Sequence, residues 1–162
     1  KILKDFSVYD DFFICALRST DQRIKDELHV NPSFIYAVFL WPYYKVLEDK
    51  YINNGSRSID DVFRNIIESQ AKYISIPEFF QTTIFSIWSL QSSFLNLSKR
   101  NIHYLTNLDK FRVAYDFFYI RAQVNDEVKN YADRWFEIQK NLKTYSNKRN
   151  NRGSFYEKRT KH

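Results

Sequence analysis

Two glycines and three prolines in 162 residues, Gly55, Gly153, Pro32, Pro42 and Pro77, leave the chain short of the residues that make hairpins and tight turns. That shortage argues against a sheet and for helices. Cys15 is the single cysteine, which excludes an internal disulfide and a cysteine-built zinc site and fits a half-buried thiol in a reducing compartment. No stretch of 18 apolar residues occurs and the start carries no export-signal pattern, so neither a membrane span nor secretion is indicated. The cytoplasm is the expected location. Catalytic signatures are missing as well: there is no GxxxxGKS or GxxxxGKT, no GxGxxG and no HExxH, and His29, His103 and His162 are scattered without metal-ligand spacing. Asp10-Asp11 and Asp60-Asp61 fall at expected helix starts, where the dipole favours carboxylates, and read as capping residues rather than a two-metal pair. Neither a catalytic centre nor a metal site is expected in this chain.

What the chain has in abundance is rings. Fifteen Phe and 12 Tyr bring the aromatic share to 19%, and buried rings supply much area at small rotamer cost. Start and stop signals divide the sequence into an all-α arrangement, a compact bundle of six to eight helices followed by a disordered basic C-terminal tail. Ser7 and Asp10 predict a capped helix from about Val8 into the twenties, with the polar interval "RSTDQRIKDELHV" read as a bend and a second short helix. Asn31-Pro32 predicts the N-cap and first residue of an apolar, central helix, with a kink at Pro42. Ser58 with Asp61 caps the next helix, and Pro77 opens another. A short basic helix from Ser98 to Leu105, one starting at Asn107, and a last one from Asp126 to about Tyr145 complete the reading.

The stretch "KFRVAYDFFYIRAQV", residues 110–124, is too greasy for a surface helix and too charged for an ordinary core. On a wheel of about 100° per residue, Phe111, Ala114, Tyr115, Phe118 and Ala122 form one stripe. Val113, Phe117, Ile120 and Val124 form another nearly opposite. The helix is therefore expected to be gripped from two sides, with Arg112, Asp116, Tyr119 and Gln123 in one polar seam and Lys110 and Arg121 in the other. Arg112 and Asp116, four residues apart, are an expected structural pair worth about 0.2–0.5 kcal/mol. Lys110 and Arg112 in the first turn oppose the dipole, which a bound phosphate would relieve. With Lys99 and Arg100 upstream they are candidate RNA contacts, against the alternative of a plain intramolecular charge network, which is the favoured reading of the residues alone.

The net charge of +6 is not spread evenly. Residues 1–139 hold 17 Lys or Arg against 18 Asp or Glu, whereas residues 140–162 hold eight against Glu157 alone. A basic, unfolded arm neutralises phosphates, and rings such as Tyr145, Phe155 and Tyr156 can stack on unpaired bases. Lys148, Arg149, Arg152, Phe155, Tyr156, Lys158, Arg159 and Lys161 join the candidate RNA contacts.

Three segments carry a resemblance. "DQRIKDELHVNPSFIYAVFLW", "SIPEFFQTTIFSIWSLQ" and "NLDKFRVAYDFFYIRAQV", with "RWFEIQ" after an interval, resemble the carboxy-terminal half of bacterial poly(A) polymerases over about residues 6–139. The tRNA nucleotidyltransferases that add CCA are similar more distantly. The resemblance implies a modular nucleotidyltransferase whose head, with a Gly-Gly loop, ATP and Mg2+, lies outside this chain, so that no cofactor is expected in this segment. It implies residues 1–30 as the end of a helical neck, 31–145 as a helical body and RNA-binding region, and 146–162 as the basic tail. The implied role is non-catalytic: to hold a single-stranded RNA 3′ end for mRNA polyadenylation, with the head of the same protein as partner and RNA-decay or RNA-chaperone proteins as further ones. Two other readings stay open, a helical protein-interaction module of an RNA-processing assembly and the C-terminal part of a CCA-adding enzyme.

Overall fold

A computed structural model describes the backbone of residues 7–157 and the side chains of residues 7–142. Among the described residues there are seven α-helices and no strand, as the scarcity of turn residues predicts. They are α1 (Asp10–Lys25), α2 (Pro32–Leu47), α3 (Ile59–Ala71), α4 (Glu78–Ser89), α5 (Lys99–Thr106), α6 (Phe111–Ala122) and α7 (Asp126–Glu157). Short 3-10 turns at Ser7–Tyr9 and Ser93–Leu95 and a π turn at Glu48–Ile52 complete the path. The last helix, expected to stop near Tyr145, carries its backbone to Glu157. Side chains from residue 143 onward, and residues 158–162 of the expected tail altogether, lie outside the described residues.

Most helix starts obey their local chemistry. Asn31 caps α2 by accepting from the Ser33 N–H at 2.9 Å, with Pro32 in the first helical position. Ser58 and Asp61 form a reciprocal capping box on α3. Ser98 accepts from the Asn101 N–H and starts α5. Two expectations fail. No side chain caps α1, which begins at Asp10 behind the 3-10 turn rather than at Val8 behind Ser7. Asn107 does not start α6; it closes α5, donating from its amide to the His103 carbonyl at 2.6 Å, and α6 starts four residues later behind Lys110. An Asn side chain serves either end of a helix, and here the neighbouring carbonyl decides.

The polar interval after Leu17 is not a bend. It continues α1 to Lys25, where the chain reverses in a Schellman turn: the Leu28 N–H reaches the Arg23 carbonyl at 2.8 Å and the Glu27 N–H reaches that of Ile24 at 3.1 Å. Glu27 holds the left-handed position at φ 55°, which glycine usually fills. The turn carries His29 back over α1, so that the Arg23 guanidinium donates to the His29 carbonyl at 3.0 and 3.2 Å.

Two cores result, and α6 belongs to both. The first buries Phe12 and Ala16 of α1, Val38, Trp41 and Tyr44 of α2, Val62 and Ile66 of α3, and Ile84, Ile87 and Trp88 of α4 around Phe117 and Ile120. Cys15 is half-buried at its edge. The second buries Phe94, Leu105 of α5 and Val128, Ala132 and Trp135 of α7 around Ala114, Tyr115, Phe118 and Ala122. The two stripes of the wheel thus face different cores, as their spacing predicts, except that Val124 lies past the end of α6 and is exposed. Each core is also tied by a buried indole: Trp88 donates to the Ala37 carbonyl at 3.2 Å, and Trp135 to the Phe94 carbonyl at 2.8 Å. Inside α2, Pro42 has no N–H to give the Val38 carbonyl, one residue beyond the carbonyl that accepts from Trp88.

Two outcomes are expected in denaturant unfolding. Phe117→Ala and Phe118→Ala, adjacent in sequence, each cost roughly 3–5 kcal/mol because each empties a different core. Glu27→Gly raises stability by up to about 1 kcal/mol, since the left-handed position no longer strains a side chain.

Candidate nucleic-acid interface

The exposed polar seam of α6 is organised around Asp116. Its carboxylate meets the Arg112 guanidinium at 3.1 Å on the same helix, the expected pair, and Arg23 of α1 at 3.8 Å. Arg112 also reaches Gln139 of α7 at 3.4 Å. A polar chain therefore runs from the His29 carbonyl through Arg23, Asp116 and Arg112 to Gln139, stitching α1, α6 and α7 across the seam. Burial raises the Asp116 carboxyl above its ordinary pKa, and the two guanidinium groups oppose that shift. The Tyr115 hydroxyl beneath donates to the Ala132 carbonyl, and burial pushes its pKa up to about 12.

Two clefts open on either side of this chain. One, of about 420 Å³, lies between α1 and α6 and is lined by Arg23, His29, Asn31, Phe34, Asp109, Lys110, Arg112, Asp116 and Tyr119 among others. The second, of about 400 Å³, lies between α6 and α7 and is lined by Arg112, Tyr115, Asp116, Tyr119, Phe136, Gln139 and Lys140. Arg112, Asp116 and Tyr119 line both.

Lys110 and Arg112 are thus brought together, but not with their expected companions. Lys99 and Arg100 stand exposed on the first turn of α5 and line neither cleft. Lys110 lies on the Arg112 side and not with Arg121, because it is the N-cap of α6 with non-helical backbone (φ −92°, ψ 3°), so the wheel angle does not apply to it. Side chains of Lys148, Arg149, Arg152, Phe155, Tyr156, Lys158, Arg159 and Lys161 lie outside the described residues. Arg23 was missed because nothing in sequence links it to a residue 93 positions away; Phe136 was missed because it sits next to Trp135, which takes the core.

Arg121 occupies the other seam and is framework. Its guanidinium donates to the Gln91 carbonyl oxygen at 3.0 Å and lies over the Trp41 ring, 4.9 Å from the centroid, with Phe118 at 5.7 Å. Gln91 is buried and spends its amide N–H groups on the Ile87 and Ala114 carbonyls. Burial lowers the Arg121 pKa, opposed by Glu48, which accepts from Tyr44 and pairs with Lys45. Among the described residues no group of His, Cys, Asp or Glu could hold a metal ion, and no helix is long and apolar enough to cross a membrane. Arg121→Lys should lower the denaturation midpoint, because an ammonium cannot both lie flat on Trp41 and satisfy Gln91.

Comparison with known proteins places this geometry. Residues 54–161 match the family described as "Polymerase A arginine-rich C-terminus". Poly(A) polymerase I of Salmonella typhi is 31% identical over 132 residues, 76% of this chain and 28% of that protein. The Escherichia coli protein is 30% identical with the same coverage. The Haemophilus influenzae protein is 28% identical over 143 residues, 84% of this chain and 31% of its own length. The chain therefore spans under a third of the length of these relatives. The chain belongs to the family of poly(A) polymerase arginine-rich C-terminal regions.

Proposed function

We propose that this chain is the RNA-holding part of a bacterial poly(A) polymerase, contributing no catalytic residue itself. It keeps a single-stranded 3′ end in place while an N-terminal head of the same protein adds AMP without a template. The observation that carries the reading is the match of residues 54–161 to the family, together with the cationic clefts on α6. The mechanism is electrostatic and sequence-independent: Lys and Arg side chains of the seam and of residues 146–162 neutralise phosphates, and rings stack on bases. Poly(A) as a single strand offers no groove to read, so charge and stacking are the means available. ATP and Mg2+ belong to the head; the carboxylates described here do not form a set that fits a divalent ion, and no step on this chain runs through one. The protein works in the cytoplasm.

A second reading has an observation of its own. Tyr73, Ile74 and Phe79, at the junction of α3 and α4, are 84%, 57% and 70% exposed. Apolar side chains grouped this way suit a protein partner, such as an RNA-decay or RNA-chaperone protein, and are compatible with the RNA-holding role.

Removing residues 146–162 should weaken oligo(A) binding and flatten its dependence on salt, because each lost phosphate contact takes about 0.7 off the slope of log K against log salt. The thermal unfolding midpoint of the remainder should hardly move. Equal affinity with and without the segment would contradict its part in the proposal.

A further inference from the structure

We infer that the two clefts flanking the Arg112–Asp116 pair are one continuous track for single-stranded RNA, in which Tyr119 and Phe136 are the stacking platforms for successive bases. The inference rests on the RNA-holding function proposed above and assigns it to a place on the fold. Three observations carry it.

The first is continuity. Both clefts share Arg112, Asp116 and Tyr119 as a common wall, so a chain lying in one passes over the same three side chains into the other. Each, at about 400–420 Å³, falls in the size range of small-ligand pockets, the scale of a nucleotide.

The second is charge. Arg23, Lys110, Arg112 and Lys140 line the track against Asp109 and Asp116. Asp116 is already engaged by two guanidinium groups, so its charge is offset within the wall. The surplus is positive, and it borders the track where a phosphate backbone would run. Arg112, with its side chain 62% exposed, still presents guanidinium N–H groups outward.

The third is the rings. Tyr119 is 41% exposed and Phe136 is 55% exposed, and both open onto the cleft between α6 and α7, whereas the exposed rings of Phe39, Tyr73, Phe79 and Tyr104 line neither cleft. Tyr119 lies beside the buried Tyr115, their centroids 6.2 Å apart, which gives it a rigid backing. Phe136 follows Trp135, whose burial fixes this part of α7. Exposed rings held by a rigid frame and bordered by cations are the elements that bind single strands without reading sequence. An acidic peptide would answer the charge but would have no use for the rings.

The test uses the whole 162-residue chain and a short fluorescein-labelled oligo(A), read by anisotropy across a salt series. Tyr119→Leu and Phe136→Leu remove a ring at an exposed position while keeping an apolar side chain, and circular dichroism melts verify the fold of each. Each should weaken binding by roughly five- to a hundredfold with the salt slope unchanged. Lys110→Gln should instead reduce the slope by about 0.7. Unaltered affinity in both ring variants, with the unsubstituted chain binding, would overturn the track while leaving the proposed function standing. No binding by the unsubstituted chain would remove both. Loss of labelled poly-glutamate affinity in the two ring variants as large as the loss of oligo(A) affinity would mark the track as a site for acidic protein and overturn the assignment.

Discussion

Phe117 and Phe118 are neighbours in the chain and point into different cores. That divergence is what the remainder of the structure depends on. One ring meets Trp41 at 5.1 Å and Phe12 at 5.6 Å; the other stacks on Phe94 at 4.9 Å. A helix held on two opposite faces has only narrow lateral strips left for polar groups, and those strips must serve both cores at once. Arg121 fills one strip as an internal strut between Gln91 and Trp41. Asp116 fills the other, joining Arg23 of the first helix to Arg112, which in turn reaches Gln139 of the last.

The cations of α6 thereby divide by environment, not by charge. Arg121 has a ring beneath it and a buried amide to satisfy, so its energy lies in the fold. Lys110 and Arg112 sit at the mouth of a cleft, and Arg112 pairs at one edge while remaining open at the other. An exposed ion pair of this kind adds little to stability, which leaves its placement free to serve a ligand. Two of the segments that carry the resemblance behave the same way: Gln91 and Arg121 meet between them, and residues 110–116 supply a core face and a cleft wall together.

Much of this was legible from spacing. The two stripes of α6, the caps at Asn31, Ser58 and Ser98, and the Arg112–Asp116 pair follow from local geometry that a sequence displays directly. The misses are where local signals are ambiguous or absent. Asn107 is a good cap for either helix end, and only the fold shows that it serves α5. Glu27 occupies a left-handed position that sequence reading assigns to glycine, so the stop of α1 was invisible. Arg23 and Phe136 join the seam of Arg112, Asp116 and Tyr119 only through helix packing. A residue's partner across a bundle leaves no mark at its own position.

On the proposed function, α6 separates framework cations from RNA-facing ones along opposite seams. Nuclear magnetic resonance of the isotopically labelled full chain, titrated with oligo(A), distinguishes the two sets. Shifts are expected in the Arg112 side-chain N–H and in the Tyr119 and Phe136 rings, with the Arg121 side-chain N–H signal unmoved. Shifts centred on Arg121 and Trp41, with the Tyr119 and Phe136 signals still, would contradict it.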